Sequence, residues 1–211
     1  ISSAFYLYNK FGSVEEVKKR MVFTTHTPEE AGNEKHDMYL CHRMSYFCGL
    51  SIDEVRRLTG ITDDLFNHSL AALKFARKAN GVSALHGHVS REMWKHHEGI
   101  CPIISITNAQ NWQYWADKQL YKAMDANDDF TFDDRKKHLK KRAFEIVADQ
   151  TGKKFDPNVL TIVWARRFAG YKRADFLSWD MDRFEKLLSN NKYPVQIIFA
   201  GKPYPVDYPA I

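Results

Sequence analysis

Leu160-Thr-Ile-Val-Trp-Ala-Arg-Arg-Phe-Ala-Gly-Tyr-Lys-Arg173 decides the fold, read together with Val195-Gln-Ile-Ile-Phe-Ala200. Each opens with a short run of β-branched, aliphatic and aromatic residues, the pattern of a buried-type strand: Leu160 to Ala165 and Val195 to Ala200. Between them Leu177, Met181, Phe184 and Leu188 recur at helical spacing, which predicts a helix from Ala174 to Ser189. Strand, helix and strand in this order make a βαβ unit with parallel strands and a right-handed crossover. The fold class is therefore α/β. Just upstream, a predicted helix from Asp134 to Gln150 stops at Gly152, and Phe155-Asp156-Pro157 breaks the chain. We expect a domain boundary at residues 150–158, with residues 1–152 in one domain and 153–211 opening a second.

The turn after the first of these strands carries chemistry. Arg166, Arg167, Lys172 and Arg173 crowd into one short segment at the carboxyl end of a strand, where open α/β sheets bind ligands. The predicted helix that follows would add unpaired N–H groups and a positive dipole end. Arginine grips phosphate in bidentate fashion and lysine acts as a mobile point charge. The expectation is an anion site, phosphate above all. The alternative is an exposed basic loop. Neither a G-x-G-x-x-G nor a Walker pattern is present, since Pro203 follows Gly201-Lys202 where Ser or Thr would be needed.

Working outward, Met21 to Thr25 reads as a strand that delivers His26 into a polar loop. A neutral imidazole there can donate to or accept from a sugar hydroxyl. Glu34 to Cys48 reads as a helix with Leu40, Met44, Phe47 and Cys48 on one face. Ser51 and Glu54 form a capping-box pattern, and Gly60 suits the stop of that next helix. Ser69 to Ala79 is helical in pattern and ends at Asn80-Gly81, Val82 to His86 reads as a strand, and Ser90 to Trp94 starts a helix. Ile103 to Thr107 reads as a strand ending in Asn108, whose amide can hold a hydroxyl. His86 with His88, and His96 with His97, lack a carboxylate or cysteine at recognisable spacing, so no metal is assigned.

Composition bounds the rest. The 211 residues are 44% hydrophobic and 27% charged, with a formal charge of +5, ordinary for a globular protein. No run approaches the roughly 18 apolar residues of a membrane span, and Ile1 to Tyr8 do not read as a signal peptide. Cys41, Cys48 and Cys101 read as reduced core thiols of a cytoplasmic protein, the first two placed two turns apart on one helical face. Arg135, Lys136, Lys137, Lys140, Lys141 and Arg142 read as the solvated face of an amphipathic helix. No aromatic residue interleaves with them, which argues against nucleic acid. The chain starts and stops mid-pattern, Ile211 following a Pro-rich turn, so we expect a piece of a longer protein.

Several of these segments occur, in this order, in a known family. Val22-Phe-Thr-Thr-His-Thr-Pro-Glu-Glu-Ala-Gly32, Asn80-Gly-Val-Ser-Ala-Leu-His-Gly-His-Val-Ser-Arg-Glu-Met-Trp94, the segment from Ile104 to Trp115, and Leu160 to Ala174 resemble the α-glucan phosphorylases, bacterial and archaeal type. Ile198 to Pro203 resembles the family's next strand end. Ala109 and Gln110 follow Asn108 where Asn-Gly-Val or Asn-Gly-Ile is usual, and His88 stands where Glu is common.

The resemblance implies a GT-B architecture, two Rossmann-like domains with the active site between them, of which this chain carries the helix-rich end of the first and the opening βαβ of the second. It implies phosphorolysis of α-1,4-glucan to glucose 1-phosphate, with pyridoxal 5′-phosphate used for its phosphate. His26 and Asn108 would bind the glucosyl unit, Arg167 and Lys172 the substrate phosphate, and Arg166 would lie near the cofactor phosphate. The Gly-rich motif with the Schiff-base lysine has no counterpart in these residues, nor has the family's early glycine-rich loop, so the 211 residues alone are expected to be inactive. The implied partners are α-glucan and inorganic phosphate, with no nucleic acid and no membrane; a homo-oligomer is compatible. Two rivals remain: a nucleotide-sugar glycogen or starch synthase of the same architecture, and a non-catalytic glucan-binding module.

Overall fold

A computed structural model describes residues 1–203; Ile211 and the turn before it lie outside the described residues. The protein is mixed α/β, with helices around short parallel sheets. By internal contacts it forms two compact units, Ile1–Gln110 and the chain from Asn111 onward.

In the first unit, α1 (Ser2–Phe11) and α2 (Val14–Lys18) lead into β1 (Val22–Thr24). The helix expected from Glu34 to Cys48 is mostly replaced by other structure. Lys35–Asp37 is a strand, β2, and only Met38–Arg43 is helical, as α3. β2 pairs antiparallel with β3 (Leu65–Asn67), and Asp37 caps α3 by accepting the Leu40 N–H. The chain then turns through left-handed residues Ser45 and Cys48, so Cys41 and Cys48 do not share a helical face. Ladder pairing with a strand distant in sequence has overridden local periodicity. By contrast α4 (Ile52–Thr59) starts and stops at Ser51 and Gly60, as the capping pattern predicts.

The next correction bears on the site. α5 (His68–Phe75) ends early, and Lys78–Gly81 forms β4, the centre of a parallel sheet of order β1-β4-β5 with β5 at Ile103–Ser105. The strand expected at Val82 to His86 is instead the start of α6 (Ala84–Trp94), capped by Ser83. Ala79, 2% exposed, is the reason: the chain there is buried between two ladders, a place that helical spacing does not reveal. The core beside it centres on Phe5, Phe47, Phe66 and Phe75, packed edge to face at 5.0–5.3 Å between ring centres.

The second unit contains α7 (Trp112–Trp115), α8 (Lys118–Asp125) and α9 (Asp129–Thr151), which stops at Gly152. The residues 150–158 thus lie inside this unit, from the last residues of α9 onward. The basic face of α9 is partly employed: Arg135 pairs with Asp117, and Lys140 donates to the carbonyls of Pro157 and Val159, each at 2.7 Å. β6 (Leu160–Ala165) and β7 (Val195–Ala200) form a parallel pair with the boundaries read from sequence. Their apolar faces are not buried as expected; Leu160 is 64% exposed and Val163 57%. The crossover is also less helical than its periodicity suggests. Two 3-10 turns, Gly170–Lys172 and Ala174–Ser178, precede α10 (Met181–Leu188), which Asp180 caps.

Candidate functional site: a sheet edge and a cation turn

His26 and Asn108 emerge from the same, carboxyl, end of the first sheet. The Thr25 N–H donates to the Asn80 carbonyl and the Asn108 N–H to the Val82 carbonyl, both at 3.0 Å. Thr24 Oγ1 adds a bond to Asn80 Oδ1 at 2.9 Å. The loops after β1 and β5 are therefore both tied to β4 or the residue beyond it. Both side chains are exposed at this edge, where parallel sheets present ligand sites.

Two glycines let α6 settle onto these strand ends. A Cβ on Gly81 would lie 2.7 Å from the Gly87 nitrogen, and one on Gly87 would lie 2.8 Å from the Ser105 Cβ. His86, in the first turn of α6, is only 6% exposed. Its Nδ1 accepts the Val82 N–H at 3.2 Å. Burial, and then the charge of nearby His26, push its pKa below the ordinary histidine value, while the Thr27 backbone opposes this. Its Nε2 has no hydrogen-bond partner of ordinary geometry among the described residues. Sequence reasoning missed Gly81, Gly87 and the work of His86, because it read this segment as a strand; the Ser83-x-x-His86 spacing was the available signal.

The cation turn lies in the second unit. Arg166, Lys172 and Arg173 line a cavity of about 560 Å³ together with Trp164, Phe176 and Leu177. Lys172 is half-buried, while Arg166, Arg167 and Arg173 are exposed, and Arg167 lies outside that lining. Trp164 Nε1 donates to the Lys172 carbonyl at 3.3 Å, pinning the turn to β6. The Arg173 guanidinium sits over the Phe176 ring at 5.6 Å. Among the described residues no α-helix starts directly after the turn, because α10 begins only at Met181. The expected dipole contribution is absent there, and the positive potential comes from the side chains. Gathered cations on an apolar floor suit an oxyanion, with arginine supplying a fork and lysine a point charge.

The fold is thus α/β, with a polar, exposed pair, His26 and Asn108, at one sheet edge and a cationic turn in its other unit. The chain is homologous to the glycogen and maltodextrin phosphorylases of archaea and bacteria, which are glycosyltransferases. It is 30% identical to the maltodextrin phosphorylase of Thermococcus litoralis, over 90% of this chain and 28% of that protein. It is 28% identical to the glycogen phosphorylase of Aquifex aeolicus, over 92% of this chain and 35% of that protein. An uncharacterized protein of Methanocaldococcus jannaschii is 40% identical over 97% of this chain and 38% of its own length. The chain thus spans about a third of the length of these curated relatives. No family model matches it.

Proposed function

We propose that this chain supplies the glucosyl-binding and phosphate-binding parts of an α-glucan phosphorylase, releasing glucose 1-phosphate from α-1,4-glucan. In this reading the protein is a cytoplasmic GT-B enzyme, and residues 1–152 and 153–211 belong to its first and second Rossmann-like domains. His26 and Asn108 hold the terminal glucosyl unit through its hydroxyls. Arg167 and Lys172 collect the oxygens of inorganic phosphate, and Arg166 meets the phosphate of pyridoxal 5′-phosphate. The observation that carries the reading is the half-buried Lys172 lining one cavity with Arg166 and Arg173, in a chain whose relatives include phosphorylases.

That donor set fits a cofactor phosphate in charge. When bound, the cofactor would supply a phosphate group able to relay a proton. In this reading the chain's own cations stabilise charge developing between the incoming oxyanion and an oxocarbenium-like sugar. The 211 residues alone are proposed to be inactive. The test is phosphorolysis by the intact protein supplied with maltodextrin, inorganic phosphate and pyridoxal 5′-phosphate. Phosphate-dependent release of glucose 1-phosphate is expected. Glucosyl transfer from a nucleotide sugar, with no phosphorolysis, would overturn the reading.

A further inference from the structure

We propose that His86 is the positioning residue of the first unit's carboxyl edge: it holds the Val82 N–H, and the Val82 carbonyl in turn holds the backbone of Asn108. Val82 lies between the end of β4 and the start of α6, so its N–H has neither a ladder nor an intrahelical partner. An N–H left unpaired in this part-buried turn is costly, and the imidazole removes that cost. The arrangement is reciprocal. Ser83 Oγ accepts the His86 N–H at 3.1 Å, while His86 Nδ1 accepts the N–H of the residue before the cap at 3.2 Å. This is a capping box in which histidine stands at the usual Glu or Gln position and reaches one residue further back.

Histidine makes the device sensitive to protons where Gln would not. Nδ1 can accept only while the ring is unprotonated at that atom. An imidazolium in the first turn of a helix is opposed by the helix dipole, and in this case also by burial. His26, on the loop after β1, is the titratable group that acts on the ring; the ends of β4 and β5 against this turn present uncharged Gly81 and Ser105, and the Arg91 guanidinium of α6 lies beside Gly87 and donates to the Ile103 carbonyl at 3.2 Å. Acidification therefore removes the acceptor, frees Val82 and loosens Asn108.

The significance for sugar binding rests on the proposed function; the relay itself does not. The test compares the chain with its His86→Asn and His86→Leu variants by amide hydrogen exchange at Val82 and Asn108 between pH 7.5 and 5, and by maltose titration. Asn Oδ1 can stand in for Nδ1 as acceptor. In the unmodified chain, protection at both amides falls together as His86 titrates below the ordinary histidine range. His86→Asn keeps protection and maltose affinity but loses the pH step. His86→Leu lowers protection at both amides about tenfold and weakens maltose binding. Unchanged Asn108 protection in His86→Leu, or a surviving pH step in His86→Asn, overturns the proposal. If His86→Leu does not fold, the pH step and its loss in His86→Asn still decide. Amide responses as expected, with maltose binding absent throughout, would uphold the relay and overturn the sugar reading.

Discussion

Gly201 faces Arg166 so closely that a Cβ added to it would lie 1.7 Å from the Arg166 carbonyl oxygen. The backbone crosses here because β6 and β7 continue beyond their ends: the Arg166 N–H donates to Ala200 and the Phe168 N–H to Lys202, both at 2.9 Å. Gly201→Ala must push the cation turn away from β7. We expect a loss of about 1–3 kcal/mol in stability, typical of overpacking, and weaker phosphate binding. Thermal unfolding and phosphate titration measure the two, and wild-type values for both would show that the turn relaxes without cost.

The cations of the turn should not contribute equally. Lys172 is half-buried in the cavity wall with its backbone pinned by Trp164, whereas the Arg173 guanidinium lies over Phe176. Lys172→Ala and Arg167→Ala are each expected to slow phosphorolysis by about 30- to 1,000-fold, the scale of a lost charge-assisted contact to an oxyanion. Arg167→Lys should recover only part, lacking the fork. Arg173→Ala should cost least. Rates with phosphate varied at saturating glucan give the order, and a worse loss in Arg173→Ala than in Arg167→Ala would reassign the phosphate contact.

Acid should unlock α8 from α9. The Arg135 guanidinium, aided by the Leu120 N–H, lowers the pKa of Asp117 from 3.8 to about 2. A depressed carboxylate contributes stability that is full above its unfolded pKa and lost as pH falls through the folded one. The pair's contribution should therefore disappear between about pH 4 and pH 2. Asp117→Asn should abolish that step in a pH series of unfolding midpoints; an unaltered acid limb would mean that the pair is too exposed to matter.

A milder acid effect belongs to the antiparallel β2–β3 pair. His36 Nδ1 and His68 Nε2 share a hydrogen bond of 2.8 Å, and Tyr46 Oη meets His68 Nδ1 at 3.0 Å. Burial, and then His36, lower the pKa of His68, while Glu34 opposes them. Because the unfolded chain takes up this proton first, stability should decline as pH falls from about 6.5 toward the folded value and then level off. In His68→Gln the decline should be smaller. Equal slopes in both proteins would remove His68 as its source.

Local signals were legible where neighbours in sequence do the work. Ser51 and Gly60 bound α4, Gly152 ends α9, and the continuous apolar runs gave β6 and β7 to the residue. The same signals failed where a distant partner chose the structure. Lys35–Asp37 became a strand because β3 pairs with it, and Lys78–Gly81 because β1 and β5 flank it.

By itself the sequence determined an α/β chain with cations bunched after an apolar strand and with His26 and Asn108 set beyond strand ends, because composition, punctuation and apolar runs are local properties of the chain. Only the tertiary structure decided that β4 is the central strand, that its end leaves Val82 for His86 to hold, and that Lys172 rather than Arg167 lines the cavity. Those outcomes depend on which backbone groups remain unpaired, and which faces remain open, after segments far apart in sequence have met.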